Sequence, residues 1–213
     1  MNDERQSHPL LGRKKKGQGS LRRAEILDAA KQLFVEEGYA ATTIRRIAAK
    51  LGISSTALYV YFPDKEAILL EICDATFTKL IQELDSVRRE ATPPLDALAK
   101  CLERYIRFGL DHPHEYELTF VTRGSKDLHS LKPENEKLGM QAFAQFTDCV
   151  DAVVRAGLTK TPDTHRLTQQ LWAAIHGLVS LLILKPDFRW AELNSLISGH
   201  VRMLIDGVRK KGQ

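Results

Sequence analysis

The sequence predicts an all-α fold of about nine helices. Three observations carry this. Apolar residues recur at three- and four-residue steps through nearly every segment, no segment reads as a β-strand, and Gly or Pro stands where each helical run stops. Of the 213 residues, 43% are hydrophobic and 27% charged, a globular composition that excludes a disordered or collagen-like chain.

Residues 1–20 mix Gly, Ser, Gln and Lys without apolar periodicity and are expected to form a flexible basic arm. From Arg22 the apolar set Ile26, Leu27, Ala30, Leu33 and Phe34 predicts a first helix, stopped by Gly38. Thr42-Thr43 can cap a second helix, Ile44 to Leu51, which Gly52 ends. Ser54 or Ser55 can cap a third, running to about Phe62. Past Pro63-Asp64, a long helix from Lys65 to about Glu90 carries an apolar stripe through Ile68, Ile72, Phe77, Leu80, Ile81 and Leu84. After Pro93-Pro94, Leu95 to Leu110 predicts a helix stopping near His112-Pro113. A short segment, Glu115 to Arg123, and a polar loop to Pro133 follow, then helices near Glu134–Ala156, Asp163–Leu184 and Trp190–Lys210.

The net charge of +4 is unevenly placed. The first 70 residues hold twelve Lys/Arg against eight Asp/Glu, and the other 143 balance to zero. A basic third joined to a neutral two-thirds points to a polyanion-binding module attached to a part with another task. Between Ile44 and Phe62 the pattern fits a helix-turn-helix: small Ala48 permits a close crossing, Gly52 supplies the turn, and Ile47, Leu51, Ile53 and Leu58 tie both helices to Leu33 and Phe34. The third helix then offers Ser54, Ser55, Thr56, Tyr59 and Tyr61, a hydroxyl-rich face without acids that suits a DNA major groove. Lys65 stands at the start of the next helix, where a DNA backbone would pass.

Together, Arg23-x-x-Ile26-Leu27-x-Ala29-Ala30-x-x-Leu33-Phe34-x-Glu36-x-Gly38-Tyr39, Thr42-Thr43-Ile44-x-x-Ile47-Ala48, Gly52-Ile53-Ser54 and Leu58-Tyr59-x-Tyr61-Phe62-x-x-Lys65 resemble the N-terminal domain of TetR-family transcriptional regulators. The resemblance implies a three-helix DNA-binding domain over 21–66, a ligand-binding and dimerisation domain over 67–213, and a homodimer that usually represses. It makes Thr43, Tyr59, Tyr61 and Lys65 phosphate contacts, lets Ser55 and Thr56 reach bases, and leaves Arg45 and Arg46 able to reach phosphates or a neighbouring base. The basic arm either enters a minor groove or stays free.

In the second domain, Trp172-x-x-x-His176-Gly177 resembles the signature of one TetR C-terminal subgroup, the WHG type. Trp172 and His176 share a helix face. Trp172 is read as a core or dimer-face residue before a ligand contact, His176 as either a buried imidazole or a pocket residue, and Gly177 as a place where another helix approaches. A ligand pocket between the long helices is expected to use Phe77, Leu80, Leu84, Tyr105, Phe120, Met140, Phe143 and His176, and to favour a small hydrophobic effector. Leu171, Leu178, Leu182, Leu193, Leu196, Ile197, Val201 and Leu204 give the last two helices apolar faces for a homodimer, with some of that surface also packing on the ligand domain.

No phosphate loop, nucleophile elbow or paired-carboxylate pattern suggests an enzyme, and no catalytic residue, cofactor or metal site is expected. His112, His114 and His176 lack the partners of a four-ligand site. Cys73, Cys101 and Cys149 are odd in number and far apart, so no disulfide framework is expected. The nearly apolar stretch Ala173 to Leu184 falls short of a membrane span, and no apolar signal segment follows the basic N-terminus. The expectation is a cytoplasmic repressor of a palindromic operator on double-stranded DNA, released by its effector through the long helix after Pro63. The alternatives are a regulator whose effector promotes binding, or a ligand-binding module with a degenerate DNA-binding head.

Overall fold

The structure, a computed structural model, describes residues 18–90, 92–122 and 137–210. Among these lie nine α-helices: α1 (Gln18–Glu36), α2 (Ile44–Lys50), α3 (Ser55–Tyr59), α4 (Lys65–Arg88), α5 (Pro94–Asp111), α6 (Pro113–Tyr116), α7 (Lys137–Arg155), α8 (Thr164–Leu184) and α9 (Leu193–Val208). A π-helical turn, Glu117–Thr122, continues α6. Pairing between extended residues is confined, among the described residues, to one isolated bridge, Thr159 with Arg209. The fold is all-α.

Helix α1 begins at Gln18, so the arm expected over 1–20 ends at least three residues early. Its remaining part, with Arg13 to Lys16, the polar loop at 124–133 and the expected helix start at Glu134 lie outside the described residues. Helix α3 stops at Tyr59, three residues short of Phe62, and α9 begins at Leu193 instead of Trp190. There Glu192 caps the helix by accepting from the Asn194 and Ser195 N–H groups at 2.9 and 2.7 Å.

Two apolar cores divide the chain. The head core joins Ile26, Ala30, Leu33 and Phe34 of α1 to Ile47, Leu58 and Phe62, and takes Ile68, Leu69, Ile72 and Cys73 from α4. The body core begins at Phe77 and gathers α5, α7, α8 and α9. The division between the two packed cores therefore falls inside α4, between Cys73 and Phe77. Leu118 of the π-turn belongs to the head core although its chain neighbours serve the body. In the body, α5 packs on α4, α7, α8 and α9. Gly109 allows the α5–α8 crossing: a Cβ there would stand 2.5 Å from Val179 Cγ1 and 2.9 Å from Tyr116.

As expected, part of the apolar surface of the last two helices packs within the chain itself. Leu171, Leu178, Ile197 and Val201 are buried in the chain's own core, and Leu182, Leu196 and Leu204 pack against it. Of the residues expected there, Leu193 remains exposed, joined by Leu181, Leu184 and Met203. A Cβ at Gly177 would meet nothing within 4 Å, so no other helix among the described residues approaches it. Helix α8 is longer than its Ala173–Leu184 part: by length and composition the whole helix could cross a bilayer, while one face carries Leu167, Leu171, Ile175, Leu178 and Val179 into the core.

Candidate nucleic-acid interface and ligand cavity

The head's surface is set by its helix caps. Thr43 Oγ1 accepts from the Arg46 N–H and Ser54 Oγ from the Ala57 N–H, both at 3.1 Å, which fixes where α2 and α3 start. Thr42 turns inward, donating to the Leu33 and Gly38 carbonyls at 3.1 and 2.9 Å. Gly38 (φ 84°) and Gly52 (φ 64°) take left-handed turn positions that a side chain would strain. With Leu58 fully buried, α3 is pinned by one face, and Ser54, Thr56, Tyr59 and Val60 are left exposed on the other. Ser55 and Tyr61 are half-buried, Tyr61 resting against the head core. Tyr59 is 54% exposed and Val60 76%. Sequence reasoning passed over Val60, whose signal was an apolar residue beyond the helix's buried stripe.

The predicted cations are placed unequally. Arg45 is exposed and makes no ion pair among the described residues. Arg46 is exposed but held by Glu37, Nη2 to Oε1 at 2.6 Å. Lys65 does not reach out from the head. Its ammonium donates to the carbonyls of Tyr39, Ala40 and Thr42 at 2.8, 3.1 and 3.0 Å and lies 4.5 Å from the Tyr39 ring centre. Partial burial lowers its pKa. With three donors engaged by three carbonyls, Lys65 clamps the α1–α2 loop to the start of α4. Arg23 does similar work on the other side, bonding the Tyr61 carbonyl at 2.8 Å and the Glu71 carboxylate while stacking 4.1 Å from the Phe62 ring centre.

In the body, α4, α5, α7, α8 and the π-turn enclose a cavity of about 320 Å³. Phe77, Leu80, Leu84, Tyr105, Phe120, Met140 and Phe143 all line it, together with Gly139, Ala142, Phe146 and Trp172. Trp172 thus faces the cavity, the less favoured of its two sequence readings; its four-residue spacing from His176 was the available signal. His176 lies behind this lining. Its Nδ1 is 2.5 Å from the Tyr116 hydroxyl and 3.2 Å from that of Tyr105, and Trp172 Nε1 donates to the Tyr105 hydroxyl at 3.3 Å. Burial pushes the Tyr105 phenol up to about 12 and that of Tyr116 higher still, so both remain donors. Burial also lowers the His176 pKa, and a neutral ring leaves Nδ1 as the acceptor these hydroxyls need. The cavity is therefore apolar, with one polar edge where Tyr105 and Trp172 meet the network.

The two sites share parts. Helix α4 gives Ile68, Leu69 and Ile72 to the head core and Phe77, Leu80 and Leu84 to the cavity. The π-turn gives Leu118 to the head core and Phe120 to the cavity, the latter 5.5 Å from Phe77 ring to ring. Lys31 of α1 bonds Glu115 of α6 at 3.0 Å. Burial opposes ionisation of Glu115, yet the Lys31 hydrogen bond and charge hold its pKa below the usual value. Sequence reasoning found the α4 connection and missed the second, because a six-residue π-turn has no periodicity to read.

Comparison with known proteins gives two family matches: "Bacterial regulatory proteins, tetR family" over residues 26–72, and "Tetracyclin repressor-like, C-terminal domain" over 98–204. The regulator YerO of Bacillus subtilis (strain 168), named as an uncharacterized HTH-type transcriptional regulator, is 28% identical over 139 residues, or 64% of this chain; the chain spans 45% of that relative's length. The Fatty acid metabolism regulator protein of the same organism is 20% identical over 192 residues, covering 88% of this chain and 95% of the relative. Among solved structures, the TetR family transcriptional regulator PfmR from Thermus thermophilus superposes with a TM-score of 0.72 at 23% identity, over 87% of this chain and 99% of that one.

Proposed function

The chain belongs to the TetR family, and from that premise we propose that it is a homodimeric transcriptional repressor which leaves a palindromic operator when a small hydrophobic effector fills the cavity. The observation that carries the reading is the sharing of α4 and the π-turn between the head core and the cavity wall. An occupant that moves Phe77 and Phe120 moves Leu118 and the first turns of α4 with them. In a dimer this resets the distance between two recognition helices, and binding to two half-sites weakens together.

On the DNA side, Ser55 and Thr56 face bases, while Thr43, Tyr59, Tyr61 and Arg45 meet phosphates. Arg46 can exchange its exposed Glu37 partner for a phosphate, since such surface pairs contribute only ~0–1 kcal/mol. Lys65 contributes by holding the loop that presents Thr43. A second copy covers Leu181, Leu184, Leu193 and Met203 on α8 and α9, which fits an apolar strip left open by this chain. The apolar face of α8 is then buried between protein surfaces, with no membrane involved. The effector is small and apolar with one hydrogen-bonding group directed at Tyr105 and Trp172, which the lining and volume of the cavity suit. A relative named for fatty acid metabolism makes acyl compounds a reasonable first series to test. No catalysis or cofactor is proposed, and the site of action is the cytoplasm, where the chromosome is reached.

The test is footprinting of the dimer on DNA beside its own coding region, combined with thermal-shift screening of apolar metabolites. A protected palindrome is expected, and the compound that raises Tm should lower DNA affinity. Ala142→Trp, which fills the cavity, should abolish that response while DNA affinity stays unchanged. Leu118→Ala should still bind the compound but release DNA less. Uniform, weak protection would mean non-specific coating, and a compound that tightens DNA binding would reverse the proposed sign.

A further inference from the structure

Cys101 and Cys149 are 48 residues apart in sequence, on α5 and α7, and their Sγ atoms stand 2.7 Å apart. Both are buried. The separation is close to the ~2.05 Å of a formed disulfide, so the two sulfurs can bond with little movement of either helix. Their distance in sequence hides this approach, which the packing of α5 on α7 creates.

Two further features bear on what this dithiol does. It opens onto a cleft of about 410 Å³, lined by both cysteines and by Arg88, Thr92, Asp148 and Arg155 among others. This polar cleft is separate from the apolar cavity and admits a small polar oxidant. The pair is also asymmetric. Cys101 is fully buried while Cys149 is 6% exposed, and the contact with Cys101 and the nearby Arg88 charge favour the Cys149 thiolate against the effect of burial. A nucleophile and a resolving thiol are thereby distinguished.

We infer that Cys101 and Cys149 are a redox-modification site, oxidised by hydroperoxides to a reversible disulfide that ties α5 to α7. The Cys149 thiolate attacks the terminal peroxide oxygen and the O–O bond breaks. The departing alkoxide takes a proton and leaves as an alcohol, or as water when the oxidant is hydrogen peroxide. The Cys101 sulfur then attacks the resulting sulfenic acid, the S–O bond breaks, and hydroxide leaves as water with the Cys101 proton. Overall, two thiols lose two electrons and two protons, and one hydroperoxide becomes one alcohol and one water. Cys101 lies one turn before Tyr105, and Cys149 one turn after Phe146, both of which line the cavity. The bond therefore fixes two cavity walls against each other.

The experiment treats the full-length reduced protein with near-stoichiometric hydrogen peroxide. Intact mass should fall by two hydrogens, titratable thiols should drop from three to one, and peptide mapping should find Cys101 joined to Cys149 within one chain. Dithiothreitol should reverse all three changes, and Tm should be higher in the oxidised form. Cys101→Ser should halt at a Cys149 sulfenic acid trapped by dimedone, and Cys73→Ser should behave as the unmutated protein. Retention of all three thiols, a bond between chains, or a bond using Cys73 would each overturn the inference. The mapping uses unmutated protein, so it stands whether or not the variants fold.

Discussion

In the head, polar side chains at the ends of helices turn onto the backbone. Thr42, Thr43, Ser54 and Lys65 each bond a main-chain group within the first 65 residues, and Asp64 caps α4 by accepting from the Ala67 N–H at 2.7 Å. In the body, Trp172, Tyr105, Tyr116 and His176 turn onto one another beside a cavity of about 320 Å³. The first arrangement fixes a surface, because every cap has one geometry that satisfies it. The second leaves room, because side-chain pairs can reorient around an occupant. The proposed function, in which two hydroxyl-rich faces are presented at a set spacing that an effector changes, uses both.

The largest expected effect comes from core truncation on the two sides of this divide. Phe62 is 1% exposed in the head core and also carries the Arg23 guanidinium on its ring. Phe62→Ala should destabilise by about 3–5 kcal/mol. Phe143 is half-buried on the cavity wall, where space already exists, and Phe143→Ala should lose only about 1 kcal/mol. Urea unfolding of the two variants measures the contrast. Equal losses would break the division into a close-packed head and a yielding body.

The same contrast explains what the sequence disclosed. Head elements are announced by neighbours in the chain: Gly38 and Gly52 at the stops, Thr43 and Ser54 at the starts, and apolar steps between. Their positions follow from local chemistry, so α2 could be placed within a residue. The cavity was legible through helical phase, since Phe77, Leu80 and Leu84 lie on one face of α4. Other features depend on which helices cross, and one chain's periodicity does not say that. The meeting of Cys101 with Cys149, the burial of Leu171 and Val201 in the chain's own core, and the placing of Leu118 in the head are of this kind. Lys65 belongs to this kind too: from sequence a cation near a DNA face reads as a phosphate contact, and its bonds to three carbonyls of the α1–α2 loop come from tertiary packing.

A smaller effect is therefore expected from Lys65, and its form sharpens the comparison. Lys65→Gln leaves some of the carbonyls of Tyr39, Ala40 and Thr42 without their donor and should destabilise the head by about 1 kcal/mol. DNA affinity should fall because the loop before Thr43 loosens, yet the dependence of affinity on salt should keep its slope. A slope reduced by about one unit would instead make Lys65 a direct phosphate contact. Arg45→Gln is the control, expected to lower both affinity and slope.

The smallest effect belongs to the body and concerns pH. His176 accepts from the Tyr116 hydroxyl at 2.5 Å, and burial holds its pKa below the ordinary ~6.5. In the unfolded chain the ring takes up a proton near that ordinary value, so between the folded pKa and ~6.5 the unfolded state binds more protons. Stability from this group is thus complete above ~6.5, declines as pH falls through that window, and is level below the folded pKa. Tm should drop modestly from about pH 7.5 to about 5.5. His176→Asn retains an oxygen acceptor toward Tyr116 but does not titrate there, and its Tm should lose this slope. Residues 18–73 contain no histidine. Hydrogen exchange in the head core should accordingly change less over this range than exchange in α8 near His176. An unaltered slope in the variant would show that the imidazole is not the group held neutral, and the adjustable polar edge would have to be sought elsewhere along the cavity.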